Sequence, residues 1–116
     1  MNHSVNQALA QRVYSLCYRI TACRSAASAI AMEAMACSDP LLQAVRAALR
    51  HCCKPDIAQS AQEQALWRLS VQERTAILLL DSLHLPSADA ARMAEMPEQQ
   101  LIAHAHRARL KLAKNA

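Results

Sequence analysis

Apolar residues recur at intervals of three or four along the first half of the chain, which is the spacing of one face of an α-helix. An alanine-rich helix is predicted over about residues 25–37. Ser38, Asp39 and Pro40 should end it and start another helix, because Ser or Asp caps a helix and Pro fits its first turn. The helix before this pair spans about residues 5–22, with an apolar face of Leu9, Val13, Leu16, Cys17 and Ile20. The helix that starts at Pro40 carries the apolar residues Leu41, Leu42, Val45, Ala48, Leu49 and Cys52.

Polar segments punctuate the middle of the chain. Residues 56–64 are largely polar and predict a linker. Ser60 and Glu63, however, have the spacing of a capping box, which could begin a helix inside that segment. A second capping box at residues 70–73 predicts the start of a helix whose apolar residues enter a core.

The C-terminal residues have the layout of a helix-turn-helix. A short helix is predicted over about residues 87–95, and Pro97 begins a final helix with an apolar stripe of Leu101, Ala105, Ala108 and Leu112. A helix of moderate length, a short helix, a tight turn and a basic terminal helix form this DNA-binding motif. We therefore predict a helical lobe at 1–55, a linker at 56–64 and a helix-turn-helix domain at 65–116.

The composition excludes most other folds. Glycine is absent, and 25 of the 116 positions are alanine. Sheets joined by tight turns usually need glycine at positive φ, so we predict an all-α fold. Glycine-loop phosphate sites are excluded for the same reason. Aromatic residues make up only 3% of the chain, so the core must be thin, and close helix packing or a partner surface is expected to complete it.

Charge is unevenly distributed along the chain, whose formal net charge is +4. Residues 1–54 carry six basic and two acidic side chains, residues 55–97 three and six, and residues 98–116 four and one. Basic ends suit a polyanion or an acidic protein surface. The basic terminal helix has a plainer explanation as well, because cations near a helix C-terminus are stabilised by the helix dipole.

Cysteine usage and hydropathy bear on the compartment. The chain has no apolar run near the ~20 residues of a membrane span, and its first residues lack the plan of an export signal. An odd number of cysteines then indicates reduced thiols, so we expect a cytoplasmic protein without a membrane partner. No Cys-x-x-Cys pair is present, and we expect no metal site. A thiol or metal sensor remains an alternative, built on Cys17, Cys23, Cys37, Cys52 and Cys53.

Catalytic arrangements are not evident in the sequence. Glu63, Glu73 and Asp81 are interpreted as helix caps or surface charges, and no Ser-His-Asp or Cys-His spacing can be defended. We therefore expect a protein that is not an enzyme, with no cofactor and no small-molecule substrate.

Several motifs resemble the extracytoplasmic-function (ECF) sigma factors of bacteria. The stretch similar to their region 4 runs without gaps over about residues 66–113 and includes Leu69-Ser70-x-x-Glu73-Arg74, residues 77–80, Ala91 and His106-Arg107-Ala108-Arg109-x-Lys111-Leu112. The stretch similar to the opening helix of region 2 is Val13-Tyr14-x-Leu16-x-Tyr18-Arg19-Ile20-Thr21. Residues 42–51 resemble a later region-2 helix. The resemblance implies a two-lobed helical protein that binds the −35 promoter element through its second lobe.

The chain departs from this family at both functional surfaces. Where the family has acidic residues and a Gln that dock on the polymerase clamp, this chain has Ala26, Ser28, Ala29 and Met32, followed by Glu33. The stretch after Cys37 is much shorter than in the family. In the last helix, Ile102-Ala103-His104 replaces a Lys-Ser-Arg run that meets phosphates and bases, and His84 replaces the glycine of a turn.

Two functions follow as expectations. The first is a regulator of transcription initiation that contacts promoter DNA or the RNA polymerase core. Its candidate DNA-binding residues are Gln99, Gln100, His104, Arg107, Arg109 and Lys111, and Gln suits adenine in the major groove. The alternative is a sigma mimic that binds an anti-sigma factor or another regulatory protein without recognising a promoter. Its candidate partner-binding residues are Ile30, Met32, Glu33 and Met35.

Overall fold

The computed structural model describes residues 3–51 and 54–114, with side chains described from residue 6 onward, and within these ranges the protein is helical and contains no strand. The predicted all-α class is thus confirmed. The chain divides into two compact units, Met1–Asp56 and Ile57–Ala116. The helices of the described residues are α1 (His3–Thr21), α2 (Arg24–Met35), α3 (Pro40–Arg50), α4 (Ala61–Trp67), α5 (Val71–Ile77), α6 (Ser87–Ala94) and α7 (Glu98–Lys114).

The first unit is a bundle in which α1, α2 and α3 pack against one another. Its core is made largely of small side chains, which let the helices approach closely. Val13 and Cys17 of α1 meet a set of buried alanines from α2 and α3: Ala27, Ala31, Ala34 and Ala44. Small side chains therefore make up most of the core cluster of this unit.

The tail of the first unit supplies the cap that α2 lacks. Cys23 precedes α2 without a side-chain hydrogen bond to the helix. The carboxylate of Asp56 accepts a hydrogen bond from the backbone N–H of Arg24 at 2.9 Å, and the backbone N–H of Asp56 donates to the carbonyl of Ala22 at 2.6 Å. Ala22 adopts a left-handed conformation with φ of 59°, which is unusual for a non-glycine residue, and this contact helps to hold it there.

The start of α3 matches the sequence prediction. The Asp39 carboxylate accepts a hydrogen bond from the backbone N–H of Leu42 at 3.3 Å, and Pro40 occupies the first turn of the helix. An aspartate cap satisfies one of the N–H groups that every helix start leaves without an intrahelical partner.

In the second unit the predicted linker is shorter than expected. Helix α4 begins at Ala61, because Ser60 caps it by accepting from the backbone N–H of Glu63 at 3.1 Å. The side chain of Glu63 in turn accepts from the backbone N–H of Gln59 at 2.8 Å. The prediction of a linker over 56–64 is therefore wrong for its last four residues, and the alternative of a helix start is correct.

Helix α5 begins with the predicted capping box, in which Ser70 and Glu73 exchange hydrogen bonds through side chain and backbone. The helix then continues as a π-helical stretch, Leu78–Ser82. Leu78 and Leu79 of that stretch are buried, as the sequence predicts for the apolar run. The following turn contains His84 at φ 55°, a left-handed position at which glycine is the usual residue.

Helices α6 and α7 are separate, as the sequence predicts for a break near Pro97. Glu95 is left-handed, with φ of 56°, and the backbone N–H of Met96 bonds back to the carbonyl of Ala91 at 3.1 Å. Helix α7 packs mainly on α5 and also on α6. Its buried residues are Leu101, Ala105 and Ala108, and Leu112 is half-buried, so the predicted apolar stripe faces the core.

Hydropathy gives one further observation. Among the helices of the described residues, none combines the length and the apolar character that crossing a membrane requires.

Candidate functional site

A buried carboxylate joins α5 to α7. The side chain of Glu73 is 5% exposed, and its two oxygens lie 2.8 Å and 3.0 Å from the Nζ atom of Lys111. The same carboxylate accepts the backbone N–H of Ser70 at 2.9 Å, and the Nε atom of Arg107 lies 3.7 Å away. Glu73 therefore serves both as the cap of α5 and as the anchor of α7. We call Glu73, Arg107 and Lys111 the Glu73 cluster.

The charge of Glu73 is stabilised by its neighbours. Burial by itself raises the pKa of this carboxyl. The hydrogen bonds from Lys111 and from the Ser70 N–H, together with the charges of Lys111 and Arg107, outweigh burial, and the pKa is lower than usual. Glu73 is therefore ionised at neutral pH although it is almost fully enclosed. The sequence interpretation of Glu73 as only a cap or a surface charge is incomplete, because it did not foresee this burial.

A second ion pair ties the same helix to the π-helical stretch. Arg109 donates from Nε and Nη2 to the two oxygens of Asp81, at 2.9 Å and 2.7 Å. This bidentate geometry lowers the pKa of Asp81 and raises that of Arg109. Both side chains are more than a third exposed, so solvent screens the pair and its contribution to stability is about 0.5–1 kcal/mol.

His104 extends the Glu73 cluster along α7. Its Nδ1 atom lies 2.8 Å from Nη2 of Arg107. A guanidinium can only donate, so Nδ1 is the acceptor and the proton of the neutral ring lies on Nε2. That Nε2 atom is buried and has no hydrogen-bond partner. Burial, and then the charge of Arg107, lower the pKa of His104, with Glu73 acting in the opposite direction, so the ring is neutral at pH 7.

The candidate DNA-binding residues thus fall into two groups. Gln99 and Gln100 are exposed near the start of α7. The other four contact protein groups: His104 bonds to Arg107, Arg107 and Lys111 lie at Glu73, and Arg109 lies at Asp81. The cations predicted to contact phosphates are therefore already engaged by carboxylates of α5 and the π-helical stretch.

Two large apolar side chains of α7 are exposed to solvent. Ile102 is 45% exposed and Leu110 is 52% exposed, and they lie on the same side of the helix because they are eight residues apart with the exposed His106 between them. Ile102 is also the first residue of the Ile102-Ala103-His104 run that distinguishes this helix from the sigma-factor pattern. Apolar residues at these positions offer contact surface to a protein and cannot neutralise phosphates.

The four candidate partner-binding residues of α2 differ in their exposure. Met32 is 78% exposed, and Glu33 is also exposed. Ile30 and Met35 instead pack against the core of the first unit. Ile30 and Met35 are partly buried by this contact, and Met32 and Glu33 are the more exposed of the four candidate residues.

The cysteines that the structure describes do not form a site. Cys17 is buried, and burial raises the pKa of its thiol to about 11. Cys23 is half-buried and Cys37 is exposed. Across residues 3–51 and 54–114 no group of three or more His, Cys, Asp or Glu side chains could hold a metal ion. Cys52 and Cys53, which the sensor hypothesis also includes, lie outside the described residues.

We compared the chain with known protein families, curated proteins and solved structures. No protein-family model, no curated protein and no solved structure matches the chain significantly. The function is therefore inferred from the residues and contacts of this chain.

Proposed function

We propose that this protein is a non-enzymatic regulator of bacterial transcription initiation, built on the plan of an ECF sigma factor and acting by protein–protein contact. In this proposal the first unit is a shortened region 2, and α5, α6 and α7 form a region-4-like helix-turn-helix. The motifs that resemble ECF sigma factors support the plan, as do the left-handed His84 at a glycine position and the left-handed Glu95 between α6 and α7.

The observation that carries the proposal is the pairing of the α7 cations. Residues 57–116 contain seven basic and six acidic side chains, a net charge of only +1. Arg107, Arg109 and Lys111 all contact carboxylates. To reach a phosphate, Lys111 would have to leave the buried Glu73, and a buried charge that loses its partner costs several kcal/mol. Contact of Lys111 with a phosphate is therefore opposed.

The surface that favours a protein partner is the exposed side of α2. Met32 is the large apolar side chain there, and methionine adapts to irregular partner surfaces. It stands where the sigma-factor pattern has residues that dock on polymerase. An apolar side chain so exposed gains from being covered by a partner, at about 25 cal/mol for each Å² of apolar surface removed from water.

The test compares two substitutions of equal chemistry at exposed apolar positions. Binding of purified protein to bacterial RNA polymerase core and to an anti-sigma domain is measured by biolayer interferometry for wild type, Met32→Glu and Ile57→Glu. Ile57 is 84% exposed and lies outside α2, so it is the matched control. We expect Met32→Glu to weaken binding of one of these proteins about tenfold or more, and Ile57→Glu to leave it unchanged. Equal affinities for wild type and Met32→Glu, or absence of binding to both proteins, would contradict the proposal.

Promoter DNA is the second candidate ligand, and the exposure of Gln99 and Gln100 favours it. These residues lie in the first turn of α7, and the first turns of a recognition helix are the part that contacts base edges. Fluorescence anisotropy with duplex DNA separates the two functions. Sequence-specific binding that is lost on Gln99→Ala and Gln100→Ala, but retained on Gln62→Ala in α4, would favour DNA. Weak binding to any duplex, unaffected by all three substitutions, favours the protein partner.

A further inference from the structure

The hydrogen bond between His104 and Arg107 can form only while the His104 ring is neutral. In the neutral form its Nδ1 accepts from Arg107, and Arg107 also lies against Glu73. The remaining polar atom of the ring, Nε2, is buried without a hydrogen-bond partner. Within the described residues the ring is therefore held on its polar side by its contact with Arg107.

We propose that His104 is a proton-operated latch, which keeps Arg107 against Glu73 when the ring is neutral and releases it to solvent when the ring is protonated. A proton from solvent would bind Nδ1, the atom that now accepts from Arg107. The ring then donates from both nitrogens, and a donor faces a donor where the hydrogen bond was. Arg107 must turn away.

The charges around the latch make this outcome specific to Arg107. Glu73 is the carboxylate that faces the cluster from α5, and Lys111 is its second cation, held at 2.8 Å. A protonated His104 would be a third positive group beside one carboxylate. Arg107 is the more weakly held of the two existing cations, because its Nε atom is 3.7 Å from Glu73, and its side chain is already about half exposed.

Other charged groups of the packed elements have contacts elsewhere. Arg74 of α5 donates to the carbonyl of Leu69 at 2.7 Å and lies over the ring of Trp67. On α6, Asp89 and Arg92 lie 3.7 Å apart. Glu98, at the start of α7, bonds to Ser87. The groups that act on His104 are Arg107 and Glu73.

The consequence is a cation whose availability depends on acidity. Arg107 would be bound to His104 and Glu73 while the ring is neutral and released from them once the ring is protonated, while Lys111 keeps α7 anchored. An acidic group of a partner would then bind Arg107 more tightly below the pKa of His104 than above it. This inference does not depend on the identity of the partner.

The first experiment measures how Arg107 affects the protonation of His104. NMR titration of the ring protons gives the midpoint of His104 in wild type and in Arg107→Gln. Removing the neighbouring cation should shift the midpoint to higher pH, because protonation no longer places two cations side by side. His106 is exposed on the same helix, and its ring protons show whether the substitution changes titration along the whole helix. A midpoint of His104 that is unchanged in Arg107→Gln would overturn the proposal.

The second experiment follows the arginine. The Nε–H resonance of Arg107 is recorded from pH 7.5 down to the pH at which the ring protons of wild-type His104 have finished titrating, in wild type, His104→Gln and His106→Gln. A glutamine at position 104 can accept from Arg107 through its amide oxygen but does not titrate in this range. In wild type and in His106→Gln the resonance should move with the titration of His104, and in His104→Gln it should stay constant. If all three proteins behave alike, His104 is not the latch.

Discussion

The Glu73 cluster predicts which substitution in the ion pair of Glu73 and Lys111 lowers the stability of the protein more. Lys111→Met removes the closest cation and leaves a carboxylate that is 5% exposed with only Arg107 at 3.7 Å and the Ser70 N–H at 2.9 Å. Glu73→Gln removes the charge itself, while the amide oxygen can still accept from Ser70. The half-exposed Lys111 then loses its ion pair with Glu73.

The two substitutions should therefore differ in cost. Stranding a buried charge costs 3–5 kcal/mol when no other partner remains, and the remaining contacts of Glu73 reduce this to about 2 kcal/mol for Lys111→Met. Glu73→Gln leaves no buried charge without a partner, and the loss of the charge-assisted hydrogen bonds from Lys111 costs about 1 kcal/mol. The order of these two values, with the lysine variant the less stable, follows from burial of the carboxylate.

Urea unfolding followed by tryptophan fluorescence measures this difference. Trp67 is the only tryptophan of the chain and lies against Arg74 of α5, so it reports on the second unit. Lys114→Met, at an exposed position near the end of α7, is the control for losing a cation near a helix C-terminus, an effect of about 0.3–1 kcal/mol. The reasoning is refuted if Glu73→Gln destabilises the unit as much as Lys111→Met, or if Lys111→Met does no more than the control.

Three further predictions concern acid, a helix cap and thiol reactivity. Because the pKa of Glu73 is lower in the folded protein, its stabilising effect is present above the pKa of the unfolded chain, near 4.3, and is lost as pH falls through the folded value; unfolding by acid should therefore be less steep in Glu73→Gln. Asp39→Ala removes the hydrogen bond to the Leu42 N–H and should destabilise the first unit by about 1 kcal/mol, measured as the loss of helical circular dichroism with temperature. Cys17, whose pKa is raised to about 11 by burial, should resist iodoacetamide at pH 8 in the folded protein while Cys37 is alkylated, and mass spectrometry of the digested protein gives both rates; equal rates would contradict the burial of Cys17.

The parts of the fold that the sequence predicts are those governed by local rules. Helix starts were predictable at Asp39 and Ser70, because a cap needs only a side-chain oxygen and an N–H two or three residues away. The π-helical stretch, Leu78–Ser82, was not predicted. Its residues continue an apolar run, and apolar runs give no indication of one extra residue in a turn.

The orientation of α2 shows a different limit. The helix is rich in alanine, so apolar residues occur on all its sides and periodicity does not mark one face as buried. Packing against α1 and α3 decided the outcome, and it buried alanines while leaving Met32 exposed. Close helix packing favours small residues at the buried positions of α2, and the periodicity does not show which of its alanines these are.

The Glu73 cluster joins residues that are 38 positions apart in the chain, and no local rule connects them. One sequence feature did point toward it, namely the acidic middle segment followed by a basic terminal helix. We interpreted the basic ends as suited to a polyanion or an acidic protein surface. Once α7 packs on α5, the same pattern becomes an internal pairing of charges.

Whether a basic helix attracts a polyanion depends on how many of its cations are not neutralised by a nearby carboxylate of the same protein. On α7, Lys111 and Arg109 each make two hydrogen bonds to a carboxylate, and an ion pair presents a dipole whose field falls off faster than that of a charge. The carboxylates are part of the folded unit, so this neutralisation is present before any ligand arrives. Exposed apolar side chains such as Ile102 and Leu110 keep their full effect because nothing in the unit covers about half of their surface. For this helix the charge counted from the sequence therefore overstates the positive field that the folded unit presents to a polyanion.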